Sequence, residues 1–357
     1  MSKKIVMTGG GTAGHVTPNI ALIPSLLEEG YEIYYIGSYS GIERKLMADY
    51  DVKYYGISSG KFRRYFDPKN FSDPFRVLNG FFQSIRILGK IKPDVIFSKG
   101  GYVSVPVVRA ASLRRIPCII HESDMTPGLA NRLCIKYARK ICCNFPETLN
   151  SLPAEKAVLT GSPIRRELST GDKQKGLDLC GFDGSKPVIL VIGGSLGAQA
   201  VNECVREAMP ELIKKYDIIH LCCAGKMDNL LLTKPGYKQF EYVKDELKDL
   251  YAACDIVISR AGANAICELL SLKKPNILIP LPAKSSRGDQ ILNAKSFEKQ
   301  GFSIVIEEED LDSEVLNEKA DELYEKRQTY IDNMHKCKQR DAIGTIISLI
   351  NEAAKRS

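Results

Sequence analysis

The stretch IVMTGGGTAGHVTPNIAL, residues 5–22, decides the fold of the first half of the chain. An apolar run ends at a cluster of glycines, and a segment with helical spacing of apolar residues follows. Gly9, Gly11 and Gly14 have the G-x-G-x-x-G spacing of a dinucleotide-binding loop. The pattern predicts a β-strand, a tight turn and a helix whose first N–H groups face a ligand. Thr17 is the predicted N-cap of that helix.

The second half of the chain opens in the same way, with ILVIGGSLGAQAVNECV at residues 189–205. In both halves short β-branched runs alternate with helical segments, a pattern typical of a parallel sheet covered by helices on both faces. The 357 residues suit two domains. We therefore predict an α/β fold with two Rossmann-like domains and an interdomain cleft that holds the ligand. The predicted strands are KKIVMTGG, YEIYYIG, DVIFSKG, PCIIHE and KICCN in the first half, and PVILVIGG, DIIHLCC, DIVISRAG, PNILIPLP and SIVIEE in the second.

The composition is that of a globular protein, with 44% hydrophobic and 26% charged residues. The eleven cysteines are odd in number and form no C-x-x-C pair, so we expect buried thiols rather than disulfides or a zinc site. No apolar run is long enough for a signal peptide or a membrane span, which favours the cytoplasm. The net charge of +7 suits an anionic ligand, a membrane surface or nucleic acid.

A nicotinamide or flavin enzyme is disfavoured by the second predicted strand. The dinucleotide fingerprint needs a carboxylate at the end of that strand, about 20 residues after the glycines, to bind the ribose. Glu32 lies at its start, and the strand ends at Gly37 and Ser38. The second glycine loop also lacks the fingerprint.

Other loops favour a sugar nucleotide. SRAGANAICELL, residues 259–270, places Glu268 in the second turn of a helix, and residues 282–299 place Asp289 and Gln290 at the start of the next one. Both segments follow successive strands, so they are expected to meet at one ligand. Taken singly, Glu268 is equally well interpreted as a solvated helix carboxylate.

The chain resembles the MurG family in a series of motifs that covers almost its whole length. They are GGGTAGHVTPNIAL, SKGGYVSVPV, IIHESDMTPGLANR, GSPIRREL, VIGGSLGAQAVNE, SRAGANAICELL and GDQILNA. The resemblance implies an inverting glycosyltransferase of the B-type fold. Such an enzyme moves N-acetylglucosamine from UDP-N-acetylglucosamine (UDP-GlcNAc) to the 4-hydroxyl of the muramyl sugar of lipid I, giving lipid II for peptidoglycan synthesis.

The resemblance also implies the substrate-binding residues. By position they are Thr12, Ala13, Gly14, Asp124, Arg165, Ser195, Val243, Ala263, Asn264, Ala265, Ile266, Cys267, Glu268 and Gln290. Ser195 and Arg165 would hold the diphosphate. Glu268 would accept from the ribose hydroxyls, and Gln290 would bind sugar hydroxyls.

The general base is predicted among His15, Glu122 and Asp124. His15 lies where the first loop enters its helix, and the pKa of histidine suits proton removal from a hydroxyl. The alternative for His15 is a neutral donor to phosphate or a packing residue. Asp124 stands where the family usually has asparagine, and a carboxylate cannot donate a hydrogen bond as an amide does. Ala13 replaces a frequent glycine. His121 is expected to point into the sheet.

The expected domains are residues 1–162, facing the acceptor and the membrane, residues 163–338, binding UDP-GlcNAc, and residues 339–357, a helix that packs back on the first domain. No cofactor and no metal are implied. The triplets Asp49-Tyr50-Asp51 and Asp310-Leu311-Asp312 are interpreted as surface carboxylates.

A membrane contact is predicted for residues 61–90, which contain seven Lys/Arg and seven Phe/Tyr. Phe75, Leu78, Phe82 and Ile85 recur at helical spacing, and a core-packed helix with a basic loop is an equal alternative. We expect this segment to bind the anionic inner leaflet, placing the protein peripherally on the cytoplasmic face of the cell membrane. Nucleic acid is not an expected partner, because no known binding module accompanies the patch.

Two other functions remain open at this stage. A UDP-sugar epimerase or hydrolase can share the same architecture, since a fold does not fix a reaction. A non-catalytic subunit that binds a sugar nucleotide is the third possibility.

Overall fold

A computed structural model of the chain describes residues 3–60, 69–193, 198–284, 288–337 and 341–355. Within these ranges, side chains are described for all but residues 69–72. The chain divides into two compact units. The first unit comprises Met1–Arg165 and Asp341–Ser357, and the second comprises Arg166–Arg340.

The described part of the first unit contains a seven-stranded parallel sheet in the order β3-β2-β1-β4-β5-β6-β7. Its strands are β1 (Lys3–Thr8), β2 (Tyr31–Ser38), β3 (Lys53–Ile57), β4 (Val95–Ser98), β5 (Cys118–Glu122), β6 (Lys140–Cys143) and β7 (Ala157–Leu159). Its α-helices are α1 (Thr17–Glu28), α2 (Ile42–Met47), α3 (Lys69–Ile91), α4 (Ser104–Leu113), α5 (Leu129–Cys134) and, from the C-terminal segment, α13 (Ala342–Lys355). Three 3₁₀ helices cover Ala13–His15, Ile135–Tyr137 and Pro146–Ser151.

The described part of the second unit contains a six-stranded parallel sheet in the order β10-β9-β8-β11-β12-β13. Its strands are β8 (Val188–Ile192), β9 (Asp217–Leu221), β10 (Tyr237–Phe240), β11 (Ile256–Ser259), β12 (Asn276–Leu278) and β13 (Ser303–Val305). Its α-helices are α6 (Lys173–Cys180), α7 (Gln199–Lys215), α8 (Leu247–Ala253), α9 (Ala263–Ser271), α10 (Asp289–Lys299), α11 (Ser313–Glu325) and α12 (Arg327–Lys336). Three 3₁₀ helices cover Arg166–Thr170, Asn229–Leu231 and Glu308–Asp310.

Both sheets have buried central strands, as their continuous apolar runs predict. Ile5, Val6 and Met7 of β1 are fully buried, and so are Ile189 and Leu190 of β8. Burying both faces of a strand removes every apolar side chain from water, which is the main source of stability in such sheets. The predicted fold class, α/β with two Rossmann-like domains, is confirmed.

Three strands were not predicted from the sequence, namely β3, β7 and β10. Each lies at an edge of its sheet. An edge strand is covered less completely, so it needs no continuous apolar run; β10, for example, reads YKQF and alternates buried with half-buried residues.

The last helix, α13 (Ala342–Lys355), packs into the core of the first unit. Ile343, Ile346, Ile347 and Ile350 are buried on one face, in a cluster with residues of β1, β2 and α1. On the same helix, Oδ1 of Asn351 accepts a hydrogen bond of 2.9 Å from the Tyr31 hydroxyl.

The described cysteines form no disulfide, and most are buried. Burial raises the pKa of Cys142 and Cys143 to about 12, so both thiols are protonated at neutral pH. This confirms the prediction of buried thiols.

Candidate active site

The glycines of the first loop are required by the packing of the loop itself. Gly11 has a φ of +89°, which a residue with a Cβ rarely adopts, and a Cβ there would lie 2.5 Å from the ring of Tyr102. A Cβ on Gly10 would lie 2.6 Å from the carboxyl carbon of Glu43. Close approach by a ligand is therefore not needed to explain these two glycines.

His15 ends the 3₁₀ helix Ala13–His15, directly before α1. Its half-buried ring places Nδ1 2.9 Å from the hydroxyl oxygen of Thr12. A hydroxyl can donate or accept, so the contact suits either tautomer. When Nδ1 carries the proton and donates to Thr12, Nε2 is the bare nitrogen that a general base needs.

The prediction that Thr17 caps the first helix is wrong. The helix begins at Thr17 itself, after Val16, and no side-chain cap forms. The Thr17 hydroxyl instead donates to the carbonyl of Ala13 at 3.0 Å. The reason is that the 3₁₀ helix runs into α1, so the chain is already helical one residue before Thr17.

Glu122, at the end of β5, is buried and holds its own loop together. Its carboxylate accepts hydrogen bonds from the N–H groups of Ser123 (2.8 Å), Asp124 (3.1 Å) and Gly128 (3.0 Å) and from Nδ2 of Asn131 (2.8 Å). Burial raises the pKa of Glu122 above its usual value, the charge of Asp124 adds to this, and the hydrogen bonds oppose it. Because both oxygens are occupied, the geometry favours Glu122 as the residue that shapes the loop.

Asp124 follows on this loop and is half-buried, with its backbone N–H bound to Glu122. Its position after β5 is therefore set by a buried carboxylate two residues earlier. His121, by contrast, is fully buried, which agrees with the prediction that it points into the sheet.

The loops that follow β1, β4 and β5 pack against each other. These three strands are neighbours in the sheet, so their carboxyl ends lie at one edge. The Lys99 N–H, after β4, donates to the carbonyl of Thr8 at 2.9 Å. A Cβ on Gly100 would lie 3.0 Å from Oδ1 of Asn131, and a Cβ on Gly101 would overlap the carbonyl of Gly10. His15, Glu122 and Asp124 thus lie on loops that the structure brings together.

In the second unit, α9 carries the predicted donor residues. It begins after Gly262 and contains Ala263, Asn264, Ala265, Ile266, Cys267 and Glu268. Glu268 lies in the second turn, as predicted, and is half-buried rather than fully solvated. Ile266 is fully buried, and its N–H donates to the carbonyl of Gly262. The first N–H groups of α9 provide a positive end for an anion.

Arg260 ties the loop after β11 to the loop after β12. It is 6% exposed, and its guanidinium donates to the carbonyls of Ile279 (3.1 Å) and Pro280 (3.3 Å) and pairs with Glu308. Buried charge of this kind is stable only when it is paired and hydrogen-bonded. Arg260 thereby fixes the two loops that precede α9 and α10.

Gln290, the second residue of α10, is half-buried beside the same loop. Its Oε1 accepts a hydrogen bond of 3.1 Å from the N–H of Leu281, which comes shortly after β12. The amide is therefore oriented, with its carbonyl toward the protein backbone and its NH₂ as the donor for a ligand.

The structure gives less information on the remaining predicted donor contacts, Ser195, Val243 and Arg165. Ser195 lies in residues 194–197, outside the described part of the chain. Val243 is half-buried and follows β10. Arg165 ends the first segment of the first unit, and its buried Nε has no hydrogen-bond partner among the described residues.

The described residues contain no group of three or more His, Cys, Asp or Glu side chains that could hold a metal ion. The two acidic triplets of the sequence have structural surroundings that need no metal ion. Asp49, Tyr50 and Asp51 are exposed, and Asp312 is the N-cap of α11, accepting from the N–H of Val315 at 2.8 Å.

Phe75, Leu78 and Phe82 of α3 form an exposed apolar surface, whereas Leu88 of the same helix is buried in the core of the first unit. The three surface side chains are 75%, 53% and 59% exposed, whereas Ile85 is half-buried. The three outward-facing residues do not pack in the core. Arg63 and Arg64 lie in residues 61–68, outside the description, and the side chain of Lys69 is also not described. In the described residues, no helix is both long and apolar enough to span a membrane.

Sequence reasoning missed Glu43, Lys99, Asn131 and Arg260. Lys99, Asn131 and Arg260 were within reach, because they lie in the quoted motifs SKGGYVSVPV, IIHESDMTPGLANR and SRAGANAICELL. Glu43 lies in none of the quoted motifs, and its contact with Gly11 spans 32 positions, so no local pattern signals it.

Two domain families match the chain. The glycosyltransferase family 28 N-terminal domain matches residues 5–143, and the glycosyltransferase family 28 C-terminal domain matches residues 188–346. A protein of Lachnospira eligens is 63% identical over 353 residues, covering 99% of this chain and 100% of its own. A protein of Lachnoclostridium phytofermentans is 62% identical, covering 98% and 99%. Both are named UDP-N-acetylglucosamine–N-acetylmuramyl-(pentapeptide) pyrophosphoryl-undecaprenol N-acetylglucosamine transferase.

Two solved structures share the fold of this chain. Acinetobacter baumannii MurG has a TM-score of 0.78 at 26% identity, covering 98% of this chain and 99% of its own. A putative UDP-N-acetylglucosamine 2-epimerase of Listeria monocytogenes has a TM-score of 0.72 at 14% identity, covering 100% and 98%, a likeness of fold alone. With full-length relatives above 60% identity, the chain belongs to the MurG family of glycosyltransferases.

Proposed function

We propose that the protein is an inverting glycosyltransferase that moves N-acetylglucosamine from UDP-GlcNAc to the 4-hydroxyl of the muramyl sugar of lipid I, giving lipid II for peptidoglycan synthesis. The observation that carries the proposal is the 63% identity, over 99% of the chain, to a transferase with that name. Polar side chains at the carboxyl edges of both sheets support it, because ligands of doubly wound folds bind there.

Donor binding is assigned to the second domain, expected as residues 163–338. Glu268 accepts from the ribose hydroxyls, and Gln290 donates through Nε2 to a sugar hydroxyl, since its Oε1 already accepts from Leu281. Ser195 and Arg165 are the proposed diphosphate contacts. Backbone N–H groups and the N-terminal end of α9 would stabilise the charge that develops on departing UDP.

Acceptor activation is assigned to the first domain, expected as residues 1–162. Nε2 of His15 removes the proton of the 4-hydroxyl as its oxygen attacks C1 of the donor sugar. The bond from C1 to the diphosphate breaks, and the electron pair leaves with UDP. The Thr12 hydroxyl, 2.9 Å from Nδ1, orients the ring and accepts from Nδ1 in the tautomer that leaves Nε2 unprotonated. Glu122 shapes the neighbouring loop, on which Asp124 is the competing base.

Docking to the membrane is assigned to the exposed apolar surface of α3. Phe75, Leu78 and Phe82 project outward, with Arg76 and Arg86 exposed on the same helix. Apolar side chains beside cations are typical of interfacial helices that bind anionic lipid. Because lipid I is a membrane lipid, we infer a peripheral position on the cytoplasmic face of the cell membrane.

One experiment separates this function from the two alternatives. The protein is incubated with UDP-GlcNAc, with and without a lipid I analogue, and UDP release is followed. We expect release only with the acceptor. Turnover without acceptor would favour a hydrolase or epimerase, and binding without turnover would favour a non-catalytic subunit.

A further inference from the structure

Glu43, the second residue of α2, is a carboxylate enclosed behind the first glycine loop. Its exposed fraction is 0%. One oxygen accepts from the N–H (2.9 Å) and the hydroxyl (2.5 Å) of Ser38, and the other accepts from the N–H of Gly11 (3.2 Å). Burying a carboxylate is costly unless several donors satisfy it, so these bonds fix its place.

Three glycines, Gly10, Gly37 and Gly41, surround the space that the Glu43 carboxylate occupies. A Cβ on Gly10 would lie 2.6 Å from the carboxyl carbon of Glu43, and a Cβ on Gly37 would overlap the Tyr54 hydroxyl and lie 2.8 Å from Cγ of Glu43. A Cβ on Gly41 would overlap a carboxylate oxygen. Residues from the first loop, the end of β2 and the start of α2 therefore all lack side chains where Glu43 lies.

The bond from Gly11 links Glu43 to His15. Gly11 has a φ of +89°, and its N–H is directed at Glu43, so this N–H is not a donor for a phosphate. Thr12 follows in extended conformation and begins the turn in which its hydroxyl meets Nδ1 of His15 at 2.9 Å. A change in the direction of the Gly11 peptide would move Thr12, and with it the imidazole.

We propose that Glu43 is a positioning residue, which holds the first loop so that Thr12 orients the His15 imidazole toward the acceptor hydroxyl. The inference rests on the proposed function of His15. Because the buried carboxylate of Glu43 lies directly behind Gly10 and Gly11, a phosphate is disfavoured against these two residues.

The first test is Glu43→Gln. A carboxamide has one acceptor oxygen, so either Gly11 or Ser38 loses a partner while size is kept. We expect kcat with a lipid I analogue to fall about tenfold or more, with KM for UDP-GlcNAc and Kd for UDP within about twofold. The matched control is Tyr31→Phe, which removes a buried hydroxyl bonded to Asn351 at the other end of β2 and should leave kcat unchanged. An equal loss of kcat in both variants would overturn the proposal.

A double variant separates positioning from general weakening. If Glu43 acts through His15, Glu43→Gln should lower kcat little further in a His15→Ala background. Multiplicative losses would show that Glu43 does not act through His15. Should Glu43→Gln fail to fold, Gly10→Ala is the second variant, because its Cβ displaces the carboxylate while Glu43 itself is kept, and the same kinetic result is expected.

An NMR measurement, which needs no enzymatic turnover, distinguishes failure of this inference from failure of the proposed function. Histidine ring signals are recorded by NMR, with the His15 signal assigned from His15→Ala. We expect Glu43→Gln to shift the His15 signals and to leave those of His220 unchanged. Unmoved His15 signals overturn the positioning role, whereas absence of acceptor-dependent UDP release in the unmodified protein overturns the proposed function alone.

Discussion

The ammonium nitrogen of Lys99 lies 2.7 Å from Nδ1 of His121 in the interior of the first unit. Nε2 of His121 lies 2.9 Å from the carbonyl of Gly161, which can only accept, so Nε2 carries the proton and Nδ1 accepts from Lys99. Burial and the charge of Lys99 both hold the pKa of His121 well below its usual value. The neutral ring of His121, on β5, therefore links Lys99, after β4, to Gly161, after β7.

Replacing Lys99 by methionine should destabilise the protein. The variant Lys99→Met keeps the length of the side chain but leaves Nδ1 of His121 without its donor and removes the bond to the hydroxyl of Ser123. Unsatisfied buried acceptors cost about 1–3 kcal/mol, so we expect a loss of that size in the free energy of unfolding, measured with urea at pH 7.5. Lys90→Met, at an exposed lysine of α3, is the control. Equal stability of the two variants would contradict the expectation.

The stability of the protein should fall below about pH 6.5 because of His220. This ring is fully buried between the hydroxyl of Tyr237 (2.8 Å) and Oδ1 of Asn202 (3.0 Å), and burial, helped by the charge of Arg206, lowers its pKa to about 3. Unfolded histidine titrates near 6.5, so between pH 6.5 and 3 the unfolded state binds the additional proton. The free energy of unfolding should lose about 1.4 kcal/mol per pH unit from this group.

The corresponding measurement compares variants of that site. Denaturation at several pH values between 4.5 and 6.5 should show a smaller pH slope for His220→Gln than for the unmodified protein. Tyr237→Phe removes a hydrogen-bond partner but keeps the imidazole, so its slope should stay steep. Parallel curves for His220→Gln and the unmodified protein would contradict the role of this histidine.

Removing the carboxylate of Glu268 should weaken UDP binding. If it accepts from the ribose hydroxyls, Glu268→Ala should cost about 1.5–3 kcal/mol, as for hydrogen bonds to a charged group. Calorimetry with UDP measures the loss directly. Glu298→Ala, at an exposed position of α10, is the matched control. Unchanged affinity for UDP would show that Glu268 is an ordinary helix carboxylate without a role in donor binding.

Membrane binding should depend on the exposed apolar surface of α3. Replacing Phe75, Leu78 and Phe82 together by serine removes three side chains that could each contribute about 1 kcal/mol or more in the interface, so we expect binding to phosphatidylglycerol-containing vesicles to weaken about 100-fold. Leu230→Ser is the control, because Leu230 is 90% exposed in the second unit. Rising salt should weaken the unmodified protein's binding as well. Equal binding by the triple variant and the control would exclude this surface.

The fold could be predicted because its central strands are buried on both faces, and such burial leaves a visible sequence pattern. Ile5, Val6 and Met7 of β1 show this directly. Three of the four edge strands, β3, β7 and β10, were missed for the same reason. Their outer sides need no apolar residue, and β7, for example, has only three residues, all half-buried.

The candidate site was predictable only where function leaves a local motif. Gly11 could be identified from its spacing, although its physical cause could not, since a Cβ there would overlap the ring of Tyr102, which lies far away in the sequence. Similarly, the bond between Arg260 and Glu308 spans 48 positions. Such contacts depend on how the chain folds back on itself, and the local spacing of residues carries no information about that.

Substituting His15 tests the general base. If Nε2 takes the proton of the acceptor hydroxyl, His15→Ala should lower kcat about 10²–10⁴-fold, while Kd for UDP stays nearly unchanged, because the ring acts only as the acceptor attacks. Thr12→Val should lower kcat by a smaller factor, since it removes the hydroxyl 2.9 Å from Nδ1 but keeps the ring. His335→Ala, at an exposed site on α12, is the control, and Asp124→Ala, assayed in parallel, tests the competing base. A His15→Ala enzyme that keeps kcat but loses UDP affinity would show that the ring serves the donor phosphate, and a much larger loss of kcat in Asp124→Ala would transfer the role to that carboxylate.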